Sequence, residues 1–312
     1  MRIVVVGLGG VGGVVGGRLA AGLAGSPEHE VIFWCRGETL SAIKKKGLEL
    51  LGNDGAITVR PSLATYNVDE VKPADLLIFA TKNYHLEAAA SELSEAANSK
   101  TVVLPLLNGV SAVAALEKQL PQCDVLGGCV YVSAHVELPG IVKQAGAVQR
   151  IIFGKKGISE AENLTRYGAI DQALRKSGIS ITLTERIDVE MWSKLVFLSP
   201  FAGVTTLSKH SISEALSNEE SFGTVKLMID EIEALARAKN IDLPKNIAEL
   251  TIEKARSFPP LTKTSMQVDQ EKDKLTELES LIGYVCREGK TANISMPAYD
   301  TVYDGLKAVC KK

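Results

Sequence analysis

The chain has 312 residues, 46% of them hydrophobic, with 35 basic and 37 acidic side chains and a net charge of −2. That length suits two domains and that apolar content an ordinary folded protein, while the balanced charge offers no general attraction to nucleic acid or to an anionic membrane surface. Five cysteines (35, 123, 129, 286 and 310) lack the CxxC spacing and even count of a metal or disulfide framework, and four histidines lie scattered, so neither metal nor disulfide is expected and a reducing, cytoplasmic location follows. Partners are expected to be small molecules or copies of the chain itself, as in a homodimer.

The chain opens with MRIVVVGLGGVGGVVGG, in which Ile3 to Val6 read as a buried parallel strand running straight into Gly7-Leu8-Gly9-Gly10-Val11-Gly12. This is the G-x-G-x-x-G pattern in a strand-to-helix context. Gly7 lets the chain turn, Gly9 lets backbone approach a pyrophosphate, and Gly12 lets the helix pack close to the strand. The start of that helix offers unpaired N–H groups to phosphate. A second strand, Glu30 to Cys35, follows after a helix-length gap, as a Rossmann unit requires. A structural glycine turn and a secretory signal are the competing readings. Seven glycines between Gly7 and Gly17 would weaken a signal helix and Arg18 interrupts the apolar run, so no signal and no membrane span is read.

The second strand ends in Cys35-Arg36-Gly37, with Lys44, Lys45 and Lys46 just downstream. A site for NAD usually places Asp or Glu there to accept the ribose 2′-OH, whereas a planar guanidinium suits the 2′-phosphate of NADP. NADP (as NADPH) is therefore preferred, against the plain alternative of a solvated surface arginine.

Further apolar runs follow at Ile57 to Leu63, Ala74 to Thr81, Thr101 to Leu107, Asp124 to Ala134 and Arg150 to Gly154, alternating with helical stretches, which predicts a parallel α/β sheet. Pro139-Gly140 and Gly146 mark turns in a β-rich segment, read as an antiparallel extension. From Ile187 the pattern becomes helical, as in Thr224 to Lys239 and Asn246 to Arg256, broken at Pro244, Pro259-Pro260 and Pro297. The fold class expected is α/β: an N-terminal Rossmann dinucleotide-binding domain over 1–186, followed by an all-helical domain over 187–312.

Ligands of open α/β sheets bind beyond the carboxyl ends of the strands. Three such ends are polar: Thr81-Lys82-Asn83, Leu107-Asn108-Gly109 and Ser133-Ala134. Each alone is also an ordinary loop; as a set they point into one crevice. In the helical part, Met191-Trp192-Ser193-Lys194-Leu195-Val196-Phe197-Leu198 is an apolar run holding one cation. A lysine snorkelling from a core helix is the plain reading. In a reductase, the same ammonium would meet the negative charge that develops on a ketone oxygen and then give up its proton, with partial burial drawing its pKa toward working pH. Thr276-Glu277-Leu278-Glu279 fits a capping box, which places Glu277 in a first helical turn, a structural role sufficient in itself. Ser265 likewise reads as a surface hydroxyl near a helix end.

Taken together, GLGGVG, Arg36, Thr81-Lys82, Asn108-Gly109, WSKL around Lys194, and TSMQVD…TELE…GYVC from Thr264 to Cys286 resemble ketopantoate reductase over nearly the whole chain. The resemblance implies an NADPH-dependent reduction of 2-dehydropantoate in coenzyme A precursor synthesis, at a site in the cleft between a Rossmann and a helical domain. It implies that Lys194 is the general acid and that Glu277 bonds the substrate hydroxyl or the cofactor ribose while orienting Lys194. Ser265 would bind the substrate carboxylate, with Asn108 and Lys194 beside the substrate. Gly7, Leu8, Gly9, Gly10, Val11, Gly12, Arg36, Lys82, Asn108, Ala134 and Glu277 would hold the cofactor.

One departure stands out. Family members usually carry an asparagine one helical turn after the lysine, and often another beyond, where this chain has Leu198 and Ala202. An apolar group cannot replace an amide's hydrogen bond, so Ser199 or Thr205 is expected to substitute, or the substrate to be another 2-oxo acid. A non-catalytic NADP-binding protein is the alternative from another class. Another two-domain dehydrogenase is a weaker one, since no basic cluster beside Lys194 supports a phosphate substrate.

Overall fold

The computed structural model describes residues 1–52 and 55–311, without the side chains of 147–149. Two compact units emerge: Met1–Leu107 with Ala112–Ile187, and Asn108–Ser111 with Asp188–Lys312. The short Asn108–Ser111 segment thus belongs with the helices, although it follows a strand of the first unit.

The first unit holds strands β1 (Arg2–Val6), β2 (Glu30–Trp34), β3 (Leu48–Gly52), β4 (Gly55–Val59), β5 (Leu63–Thr65), β6 (Leu76–Phe79), β7 (Val102–Pro105), β8 (Asp124–Val125), β9 (Gly127–Leu138), β10 (Ile141–Gly154) and β11 (Ser180–Leu183). Its helices are α1 (Gly10–Gly22), α2 (Gly37–Lys46), α3 (Leu86–Glu92), α4 (Ala112–Gln119) and α5 (Glu160–Lys176). Six strands form a parallel sheet in the order β5-β2-β1-β6-β7-β8, the doubly wound arrangement of a Rossmann domain. Along β1, Ile3 and Val5 enter the core on one face while Val4 and Val6 enter the core on the other. A strand buried on both faces needs apolar residues at every position, which is why this one reads as an unbroken run.

The β-rich segment around Pro139-Gly140 and Gly146, expected as an antiparallel extension of that sheet, instead forms part of a second sheet, which runs β11-β10-β3-β4 with β9 antiparallel to β10. It is mixed: β10 pairs parallel with β3 and β11, and β3 pairs antiparallel with β4. The run Ile57 to Leu63 is accordingly two strands in two sheets. Pro61, lacking an N–H, sits in the break between β4 and β5. Ser133-Ala134 is likewise no strand end, because β9 continues to Leu138.

Helix α1 is wedged against both sheets, and its glycines make that possible. A Cβ on Gly12 would lie 1.8 Å from the carbonyl oxygen of Gly7, and one on Gly13 would lie 2.5 Å from Val142 Cγ2 in the second sheet. Glycine in a helix costs about 1 kcal/mol relative to alanine, and here the close approach to two layers offsets it.

The second unit is helical: α6 (Ile187–Ser208), α7 (Ile212–Ser217), α8 (Glu219–Ala238), α9 (Ile247–Arg256), α10 (Ser265–Glu271), a π-turn segment Glu279–Gly283, α11 (Tyr284–Ala292) and α12 (Pro297–Val309). Its own core gathers Phe201, Met228, Ile232, Leu281, Val285, Tyr299 and Val302. The proline breaks fall as the sequence suggests, with Pro297 opening α12 at a position where no N–H is needed. No helix among the described residues is long and apolar enough to cross a membrane.

Candidate active site

Strand β1 ends in Gly7, whose φ of +89° is open to glycine and strained for other residues. The chain turns there into α1, whose first turn carries no acidic side chain and whose N-cap, Gly9, makes no side-chain capping bond. The helix amides at this end therefore face outward with the positive end of the dipole behind them. A Cβ on Gly9 would meet nothing within 4 Å, so the space above the turn is open, whereas one on Gly10 would lie 2.3 Å from the Ala134 carbonyl oxygen. Thr81 Oγ1, beside Gly7, is buried and has no hydrogen-bond partner. An open glycine turn, uncapped amides and an orphaned hydroxyl fit the pyrophosphate of a dinucleotide. Leu8 is buried in the core, so only its backbone can contribute, and Val11 is partly buried against the same core. Lys82 is half-buried and caps the one-turn helix Asn83–His85 at the end of β6.

Arg36 lies exposed at the end of β2 as the N-cap residue of α2, and no carboxylate occupies that position. Its guanidinium sits over the Tyr66 ring at 5.9 Å and donates to Tyr66 Oη at 3.4 Å. Lys44, Lys45 and Lys46 occupy the last turn of α2, where they complement the helix dipole, and the Lys44 charge reaches the Cys35 thiol beside Arg36. Cys35, buried next door, has its thiol pushed up to about 12 by desolvation and stays neutral.

In the second unit, three residues distant in sequence converge. Lys194 Nζ, half-buried on α6, donates to Asn108 Oδ1 at 3.0 Å, and Asn108 Nδ2 donates to Glu277 Oε2 at 3.4 Å. A lysine only donates and a carboxylate only accepts, so the amide has one orientation that serves both. Gly109, at φ +89°, lets this segment approach the π-turn, where an added Cβ would stand 3.1 Å from Ser280 O. Glu277 is 5% exposed, and its carbonyl accepts the first bond of the turn from Leu281 N.

The expected capping box at Thr276 does not form. Glu279 instead accepts from Tyr303 Oη at 2.6 Å and pairs with Arg287 at 2.8 Å, and Thr276 Oγ1 is buried without a bond to the turn. Long-range partners won over the local motif. Ser265 is exposed at the first position of α10, capped by Thr264, and no described bond joins it to the Lys194 cluster.

Ser199 and Thr205 do not stand in for the missing asparagines. Both are fully buried: Ser199 donates to Leu281 O at 3.1 Å and accepts from Tyr299 Oη at 3.0 Å, while Thr205 pairs with Thr264 at 3.0 Å. Leu198 is half-buried and Ala202 fully buried, so that side of α6 carries no amide. Tyr66 escaped the sequence reading. The signal for it was positional: it follows β5 as Arg36 follows β2. Among the described residues no group of His, Cys, Asp and Glu has the arrangement to hold a metal ion.

Two family models match, "Ketopantoate reductase PanE/ApbA" over residues 3–157 and "Ketopantoate reductase PanE/ApbA C terminal" over 186–310. The chain belongs to the ketopantoate reductase family. It is an oxidoreductase of that family, which works with a nicotinamide dinucleotide. Among its relatives, an uncharacterised oxidoreductase, YkpB, of Bacillus subtilis is 27% identical over 98% of each chain, and the 2-dehydropantoate 2-reductase of Halobacterium salinarum is 28% identical over 97% of each. The crystal structure of 2-dehydropantoate 2-reductase from Porphyromonas gingivalis matches with a TM-score of 0.86 at 28% identity, covering 98% of this chain and 99% of that one. D-mandelate dehydrogenase, solved with NADH and anilino(oxo)acetate, shares the fold at a TM-score of 0.85 and 23% identity, covering 99% of this chain and 98% of that one.

Proposed function

We propose that this ketopantoate reductase family member reduces a 2-oxo acid with NADPH, 2-dehydropantoate being the leading substrate and pantoate the product, in the supply of coenzyme A precursors. The observation that carries the reading is the Lys194, Asn108 and Glu277 chain, an ammonium held through an amide to a buried carboxylate. Residues 1–186 would hold the dinucleotide, its pyrophosphate over the Gly7 to Gly12 turn and its 2′-phosphate on Arg36. Residues 187–312, with Asn108, would supply the acid chemistry.

Held by the Gly7 to Gly12 turn and Arg36, NADPH would supply a hydride to the carbonyl carbon. The carbonyl oxygen then carries the displaced electron pair, and Lys194 Nζ stabilises it and donates the proton that completes the hydroxyl. Asn108 engages one of the ammonium's donors and so fixes its direction, with Glu277 fixing Asn108 in turn. Ser265 would take a substrate carboxylate oxygen. Lys194→Ala should lower turnover about 10²- to 10⁴-fold while NADPH binding, followed by fluorescence, persists. Turnover near the native level would remove Lys194 from the chemistry.

Leu198 favours a second reading, a different 2-oxo acid, because neither it nor Ala202 offers a hydrogen bond where an amide would recognise a hydroxyl. Steady-state NADPH oxidation over a panel of 2-oxo acids, repeated with NADH, decides between the substrates and tests the cofactor preference. Tight NADPH binding with no turnover of any member would instead mark a non-catalytic binding protein.

A further inference from the structure

Arg36 is not alone at the end of the second strand. In the parallel register Trp34 lies opposite Thr65, so the residues that leave the carboxyl ends of β2 and β5 emerge side by side. These are Cys35-Arg36 and Tyr66. Tyr66 rests against Trp34, with ring centroids 4.8 Å apart, and keeps 37% of its surface exposed. Its hydroxyl donates to Glu92 Oε2, on α3, at 2.6 Å and accepts from Arg36 Nη1 at 3.4 Å. Burial and the bond to Glu92 both raise the phenol's pKa, so the hydroxyl keeps its proton and spends it on the carboxylate. An oxygen whose hydrogen is drawn to a carboxylate is a better acceptor on its other side. The guanidinium, over the ring face and bonded to the ring's oxygen, is thus restrained at two points while most of its five donors are directed elsewhere.

We propose that Tyr66 is a positioning residue for dinucleotide recognition: its hydroxyl, tied to Glu92, holds Arg36 in the pose that takes a 2′-phosphate. A long, exposed arginine otherwise loses rotamer freedom when it closes on an anion, and a neighbour that has already ordered it removes part of that cost. The inference rests on the reading of Arg36 as the 2′-phosphate ligand.

The test measures calorimetric affinity of the full chain for two fragments, 2′-phospho-ADP-ribose and ADP-ribose. Tyr66→Phe keeps the ring on Trp34 and removes only the hydroxyl. It should weaken the phosphorylated fragment about three- to tenfold and the other by less than about twofold, the range of one hydrogen bond. In an Arg36→Ala background the same change should do nothing further, because Tyr66 acts through Arg36. Equal weakening of both fragments, no weakening, or full additivity with Arg36→Ala overturns the positioning role. If Arg36→Ala itself leaves the preference for the 2′-phosphate intact, the NADP reading falls and this role with it. If Arg36→Ala abolishes the preference and Tyr66→Phe leaves it untouched, only the role of Tyr66 falls.

Discussion

Lys194 and Glu277 share one partner, the side-chain amide of Asn108, which accepts from the first and donates to the second. Asn108→Ala removes both bonds at once. The carboxylate of Glu277, 5% exposed, then loses a donor, at a stability cost of about 1–3 kcal/mol. The ammonium also loses this acceptor, and kcat/KM for 2-oxo acid reduction should fall about ten- to a hundredfold. Glu277→Gln, which keeps the shape and removes the charge, should fall by less in stability than in kcat. Urea melts and steady-state kinetics on the same preparations separate the two effects; native kinetics in Asn108→Ala would deny the amide any part in the reaction.

The glycine turn separates packing from binding. Gly12→Ala drives a Cβ to 1.8 Å from a backbone oxygen that cannot swing aside, and overpacking of that kind costs about 1–3 kcal/mol or more. Gly9→Ala meets only open space, so unfolding of the ligand-free chain should change by less than about 1 kcal/mol. Dinucleotide affinity should nevertheless drop, because the new methyl group occupies the space a pyrophosphate approaches. Chemical melts paired with NADPH titrations read both. A Gly9→Ala protein that binds as tightly as the native one would move the pyrophosphate elsewhere.

Acid sensitivity should trace in part to α7. There Ser211 and Glu214 form a reciprocal capping box, with Ser211 N donating to Glu214 Oε2 at 2.7 Å and Glu214 N donating to Ser211 Oγ at 3.3 Å. The backbone bond from Ser211 is the main cause that lowers the Glu214 carboxyl below its ordinary 4.5. Because the unfolded chain takes up that proton first, the stabilisation is present above pH 4.5 and is lost as pH falls below it. The melting temperature of Glu214→Gln should therefore decline less steeply than that of the native chain on acidification from neutral pH to pH values below 4.5. Parallel declines would rule out a contribution from this cap.

The sequence by itself determined the beginning of the fold and its class. An unbroken apolar strand, a glycine turn and a cation after the second strand are local patterns, and local patterns report the backbone conformations and burial that residues require. Helical periodicity after Ile187 is of the same kind, and α6 to α12 follow it. Only the tertiary structure decided who meets whom. The Lys194 bond to Asn108 spans 86 residues and that of Asn108 to Glu277 spans 169, and no periodicity encodes a partner at such separations. The same physics dissolved the capping box at Thr276, where Tyr303 and Arg287 claimed Glu279, and buried Ser199 and Thr205 in pairings of their own. It also assigned the runs after β2 to two sheets, since an apolar alternation states that a strand is covered and leaves open which layer covers it.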